Sequence, residues 1–411
     1  MAGHQRSART PVALPALVFG WLGRLLPDMW QAGEASGAAC LLGQLLGQVR
    51  VGRDLSGETV MKSKAAIQLE HGGPLVVEEI DIPDPGPNQV TVRNFASGVC
   101  YSQVHQLRGT GLPRPMGLGH EGSGVVTQVG KEVTHVKEGD HVITTWVPRI
   151  PISGLPVSRP TGATFRGRPV IADGDVYTWS EQMLTFADKV VPMSQSDPTD
   201  ITCLIGCAVL TGAGAVLHTA KVRLGQSVAV FGVGGVGLSA IAAAAIAGAD
   251  PIIAVDLVDR KLDFAKEFGA THGINASDTD AVTAIQAICP GGVDFAIDAV
   301  GAPTTALQIL NAVRQGGPRA DNQGGMAVLL GIPVADVSVD LNAILLYQRH
   351  YCGSLGATKP ETDFPLFLEW VREGKFPLAK LVTNRYSLDQ VEEARAALEE
   401  GQILGRAIIE I

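Results

Sequence analysis

The sequence predicts an α/β protein of two unlike parts: a β-rich, largely antiparallel part and a doubly wound parallel sheet. Three observations support this. From residue 61 to about 208, short apolar runs are broken by turn residues, as in antiparallel sheets. From about 209 to 349, strand-like and helix-like segments alternate, as parallel sheets require. The length of 411 residues also exceeds the roughly 250–300 that one core usually supports.

Residues 1–60 fit neither part. The first 27 residues hold Arg6, Arg9 and Arg24 and no acid, with an apolar run from Val12 to Leu22. That composition resembles a targeting signal, but Arg24 interrupts it, no small-residue cleavage pattern follows closely, and the run is too short to span a bilayer. Met61-Lys-Ser-Lys-Ala-Ala-Ile67 opens a first strand as a start codon would, so 1–60 is expected to be an extension outside the fold. Strands follow at Leu75–Ile80, Val90–Arg93, Gly124–Val129 and His141–Trp146, separated by turns such as Asp81-Ile-Pro-Asp-Pro-Gly-Pro87 and Lys137-Glu-Gly-Asp140. Residues 150–175, rich in Pro, Gly and Arg, read as a long surface excursion.

In the second part, strands are expected at 228–232, 252–256, 272–275, 293–299 and 326–331. Val228-Ala-Val-Phe-Gly-Val-Gly-Gly-Val-Gly237 ends an apolar strand on Gly232, Gly234 and Gly237 and leads into an alanine-rich helix. Asp256 ends the next strand. In this strand–turn–helix–strand context, the first glycine permits a tight turn. The second lets a pyrophosphate approach the backbone and the third lets the helix pack close. The turn, Gly232, Gly234, Gly235, Val236 and Gly237, is therefore a dinucleotide site, with free N–H groups at the helix start. Asp256 is placed to take both ribose hydroxyls, which favours NAD. Lys261 follows closely, either at the ribose or on a solvated helix start. Pro365–Arg372 and Leu388–Glu399 read as amphipathic helices, and Arg406–Ile411 as a closing strand that returns to the first part.

Composition narrows the function. A net charge of -9 argues against a nucleic-acid partner. Six irregularly spaced cysteines are not a disulfide framework and suit a reduced, cytoplasmic setting. No membrane association is expected.

Cys100, His120 and Cys207 are the residues able to do electrophilic work beside a nucleotide. Their separations match no local zinc motif, and read singly each is as well explained as a core residue. Their surroundings are more specific: Gly98-Val-Cys-Tyr-Ser-Gln-Val-His105, Gly119-His-Glu-Gly-Ser-Gly124, Cys203-Leu-Ile-Gly-Cys207 and Thr211-Gly-Ala-Gly214, followed by the glycine-rich turn. Together they resemble the zinc-dependent medium-chain alcohol dehydrogenases over essentially 61–411. The resemblance implies a GroES-like catalytic domain, 61–208 and 356–411, split around a Rossmann domain, 209–355. It also implies one catalytic zinc on Cys100, His120 and Cys207, with Glu121 as a further metal-site residue or a buried ion-pair partner. Zinc would acidify a bound alcohol, whose alkoxide passes hydride to NAD. Ser102 and His105 would relay the proton through the cofactor ribose. Arg406 would contact the phosphates.

This chain departs from the family at several positions. Gln103 stands where the family usually has an Asp that accepts from the His ligand; a neutral amide oxygen is expected to orient His120 but raise its basicity less. Tyr101 replaces a basic or small residue near the pyrophosphate. No cysteine lies between Cys100 and Cys203, so no structural zinc is expected. Trp146, Ile332 and Leu355 match apolar positions of the family's pocket, which suits a primary or aromatic alcohol or its aldehyde. Relatives are commonly dimers or tetramers, and a strand near 350–354 at the sheet edge is placed to extend the sheet across subunits of a homo-oligomer. Two rivals remain: a zinc-free enoyl or quinone reductase on the same fold, and a nucleotide-binding member that is not an enzyme.

Overall fold

The computed structural model describes residues 50–53, 59–152, 154, 158–317 and 323–411; nearly all of the expected extension lies outside them. Its last part does not. Arg50–Arg53 is a strand paired antiparallel with Thr59–Gln68, so strand pairing begins before residue 61.

Among the described residues the strands form three sheets. The first has seven strands, in the order Ile171–Ala172, Met116–Gly117, Thr59–Gln68, Leu75–Ile82, Thr164–Phe165 and Arg168–Pro169, with Arg50–Arg53 also on Thr59–Gln68. The excursion at 150–175 is thus only partly a surface feature. Its short strands join this sheet, and Ala163, Phe165, Val170 and Ala172 are buried in the core. Apolar residues inside the Pro/Gly-rich segment drive that docking, because exposing them costs more than ordering the loop.

The second sheet runs Val190–Met193, His141–Thr145, Glu121–Val129, Gln89–Val99, Arg406–Glu410 and Val382–Ser387, with Gln182–Phe186 also pairing to Gln89–Val99. The closing strand does return to the first part: Ala407 pairs with Val99 in antiparallel register.

The third sheet is parallel throughout, in the order His272–Asn275, Ile252–Asp256, Val228–Phe231, Phe295–Asp298, Met326–Leu329 and His350–Gly353. Val228–Phe231 is buried along its whole length, as a central strand covered on both faces must be. Strand order reverses between it and Phe295–Asp298, and such switch points open a crevice at the carboxyl ends of the strands. His350–Gly353 is one edge and His272–Asn275 the other.

One core cluster joins the second and third sheets. Ile143, Ile205 and Leu210 pack in the same cluster as Val230, Ile241 and Phe295, with Phe364 and Phe367 of helix Pro360–Arg372. Among the described residues, no helix is long and apolar enough to cross a membrane.

Candidate metal and dinucleotide site

Two antiparallel registers assemble the centre. Gln89–Val99 delivers Cys100, the N-cap of helix Tyr101–Arg108. Glu121 opens the neighbouring strand Glu121–Val129, immediately after His120, and pairs with Thr145, whose hydroxyl donates to the Gly206 carbonyl at 2.8 Å. That contact seats Cys207 at the start of helix Ala208–Gly214. Among the described residues, Cys100, His120 and Cys207 are the one group of donors close enough to share an ion. All three are buried, with ligand atoms within 4.8 Å of one another.

The thiols are electrostatically unequal. The Cys100 thiol is held well below its ordinary range, first by a hydrogen bond from Cys207 and then, against burial, by Arg406 and His120. Cys207 is pushed well above that range, because it donates to Cys100 and is buried. Burial alone would lower His120, but contact with Cys100 outweighs it and raises the imidazole. Two thiols and an imidazole form a soft donor set that suits zinc.

Glu121 is not part of this cluster. Its Oε1 accepts from Arg406 Nη2 at 2.8 Å and its Oε2 from the Ala208 N–H at 3.0 Å. Burial raises its carboxyl while Arg406 opposes the rise. The buried ion pair, the second of its two expected roles, is the arrangement found.

Gln103 also differs from expectation. Its Oε1 accepts from the Cys100 N–H at 2.6 Å, closing the helix start as a capping-box residue does. The amide nitrogen, not the oxygen, therefore lies 3.1 Å from His120 Nδ1. On the other side of the ring, the Ser102 hydroxyl lies 3.3 Å from Nε2. His105 is one helical turn beyond Ser102, half-buried and edge-on to Tyr101, with centroids 5.4 Å apart. No hydrogen bond between Ser102 and His105 is found.

The glycine turn has the expected shape. Gly232 has φ +82°, a conformation that favours glycine. A Cβ at Gly237 would strike the Gly232 carbonyl, whereas one at Gly234 would meet nothing within 4 Å, leaving the backbone open to a ligand. Helix Gly235–Ile246 begins at Gly235, and Val236 lies in its first turn. Asp256 Oδ2 accepts from the Val233 N–H at 3.0 Å, tying the acid to the turn. Lys261 lies in the first turn of helix Asp259–Lys266. Arg406 reaches the same place, since a Cβ on Gly235 would lie 2.7 Å from its Cδ. Its Nε is buried and finds no hydrogen-bond partner among the described residues. An orphaned guanidinium N–H beside a glycine-lined helix start fits a phosphate.

Ile332 and Leu355 line an almost wholly apolar cavity of about 590 Å³, together with Thr219, Gly331, Ser354 and Ala357. Thr219 and Ser354 join their hydroxyls at 2.7 Å. Neither residue stands out in the sequence, because no local pattern marks a wall built by distant segments. Trp146 is half-buried, and its buried indole N–H has no hydrogen-bond partner among the described residues.

The comparisons with known proteins agree with this geometry. Residues 86–195 match the alcohol dehydrogenase GroES-like domain, and 235–373 the zinc-binding dehydrogenase family. The chain is 30% identical over 382 residues to alcohol dehydrogenase class-3 of Cereibacter sphaeroides, covering 85% of this chain and 100% of that one. It is 31% identical to S-(hydroxymethyl)glutathione dehydrogenase of Paracoccus denitrificans, with the same coverage. The crystal structure of benzyl alcohol dehydrogenase from Acinetobacter calcoaceticus superposes with a TM-score of 0.77 at 30% identity, covering 85% and 99% of the two chains.

Proposed function

The chain belongs to the zinc-dependent alcohol dehydrogenase family, and from that premise we propose that it moves a hydride between a primary or aromatic alcohol, or its aldehyde, and NAD, using Cys100, His120 and Cys207 as the metal site. The observation that carries this reading is the buried Cys–His–Cys cluster with the Ser102 hydroxyl on its histidine, in a chain that also folds a dinucleotide turn. Bound there, zinc would supply Lewis acidity to a substrate oxygen and the nicotinamide a hydride acceptor.

The chain's own residues do the rest. Ser102 Oγ is placed to take the proton from a substrate hydroxyl in a water-poor site. His105, half-exposed on the same helix face, exchanges protons with solvent. Arg406 and the N–H groups at Gly235 to Gly237 hold the pyrophosphate, and Asp256 orients the adenosine ribose and disfavours a 2′-phosphate. Lys261 lies beyond it. The apolar cleft at Ile332 and Leu355 suits a planar ring or a hydrophobic alcohol. The division into a catalytic part, 61–208 and 356–411, around a nucleotide part, 209–355, belongs to this proposal. So do a single zinc with no structural partner, a homo-oligomer, and a cytoplasmic site, which the five free cysteines among the described residues support.

Elemental analysis of purified protein tests it. One zinc per chain, lost together with NAD-linked alcohol oxidation on chelation, is the expected result. Protein that binds NADH and reduces an alkene without metal would replace it with the reductase reading.

A further inference from the structure

We infer that Gln103 sets how tightly this chain holds its metal, because it opposes the histidine tautomer that ligation requires; the inference rests on the metal reading above. His120 Nδ1 faces the Gln103 amide nitrogen at 3.1 Å, and Nε2 faces Ser102 at 3.3 Å, which leaves Nε2 for an ion. A neutral imidazole that ligates through Nε2 carries its proton on Nδ1, and that N–H needs an acceptor. Gln103 presents an NH₂ group there instead, since its oxygen is taken by the Cys100 N–H at 2.6 Å.

Turning the amide over does not resolve the conflict. The oxygen would then serve His120, but the NH₂ group would face the Cys100 N–H. One amide has one acceptor atom, and here two N–H groups converge on it. Gln103 is 0% exposed, so bulk water cannot compensate. Either orientation leaves a donor against a donor in a dry site, where unmatched polar groups are most costly. A carboxylate of the same length offers two acceptors and removes the mismatch. Gln103 touches His120 rather than substrate, so it acts as a positioning residue.

The test compares full-length wild type with Gln103→Glu by zinc competition against a chromophoric chelator, with no turnover measured. Gln103→Glu is expected to hold zinc roughly 10–100-fold tighter, the range over which such outer partners act. Gln103→Met, similar in length and without donors, is expected to stay within a few-fold of wild type. Independently, ¹⁵N spectra of histidine-labelled wild type should show the proton of the neutral His120 ring on Nε2 without zinc and on Nδ1 with it. This measurement decides the matter should the Glu variant fail to fold. Wild type that binds one zinc as tightly as Gln103→Glu, or that keeps the proton on Nδ1 in both states, overturns the inference and leaves the metal site standing. Wild type that binds no zinc overturns both.

Discussion

Arg406 Nη2 lies 2.8 Å from Glu121 Oε1, and neither side chain is more than 6% exposed. The pair joins the metal cluster to the glycine turn, because the register that sets Ala407 against Val99 also brings Arg406 beside Cys100. Burial opposes the charge on Arg406, but Cys100, Glu121 and Cys207 surround it and keep it protonated.

Breaking such a pair strands a buried charge. Arg406→Met is expected to cost about 3–5 kcal/mol, read as a lowered urea midpoint. The double variant Arg406→Met/Glu121→Gln should recover much of that loss, yet still bind NADH weakly. Full NADH affinity in either variant would remove Arg406 from the phosphate site.

The two cysteines should also be chemically distinct once zinc is removed. A thiolate, not a thiol, is the nucleophile, so a lowered Cys100 reacts at a pH below its ordinary value of 9.0, while a raised Cys207 does not. In chelated protein at pH 7, iodoacetamide should label Cys100 before Cys207, with the rate falling only as pH drops through the depressed value. Peptide mass spectrometry reads the order, and zinc should protect both.

Asp256 is expected to govern cofactor choice. Losing a hydrogen bond to a charged partner costs about 1.5–3 kcal/mol, so Asp256→Ser should reduce kcat/KM with NAD roughly 10–150-fold. It should leave NADP use unchanged or improved. Equal losses with both cofactors would mean that Asp256 supports the turn through the Val233 N–H and does not read the ribose.

Ion pairs hold the segment around 160–175. Arg159 donates to Asp175 at 2.9 Å and to both oxygens of Asp188 at 2.8 and 3.0 Å, with its guanidinium 3.8 Å from the Phe186 ring centroid. Arg159→Lys cannot reproduce that fork. It should lower the thermal midpoint by a few degrees and speed proteolysis near residue 160 without changing zinc content. Loss of zinc in this variant would point to a second metal here.

Strand and helix positions were largely legible in the sequence, because periodicity and β-branched runs report which face is buried. Ile252–Asp256 and His272–Asn275 fall where the pattern puts them. The excursion at 150–175 was misread because its Pro and Gly content signals a loop, while the burial of Phe165 and Val170 depends on a sheet formed by distant residues. Thr219 and Ser354 were missed for the same reason.

Local sequence by itself determined the glycine turn and the acid that follows it, while Cys100, His120 and Cys207 were singled out only by a family resemblance. The turn and its acid depend on backbone freedom and close approach, which each residue carries with it. Only the tertiary structure decided that Cys100, His120 and Cys207 meet within 4.8 Å, that Glu121 pairs with Arg406, and that Gln103 turns its nitrogen to the ring. These outcomes are settled by strand register and by competition for a limited number of hydrogen-bond acceptors in a space closed to water, and neither is written in any one stretch of chain.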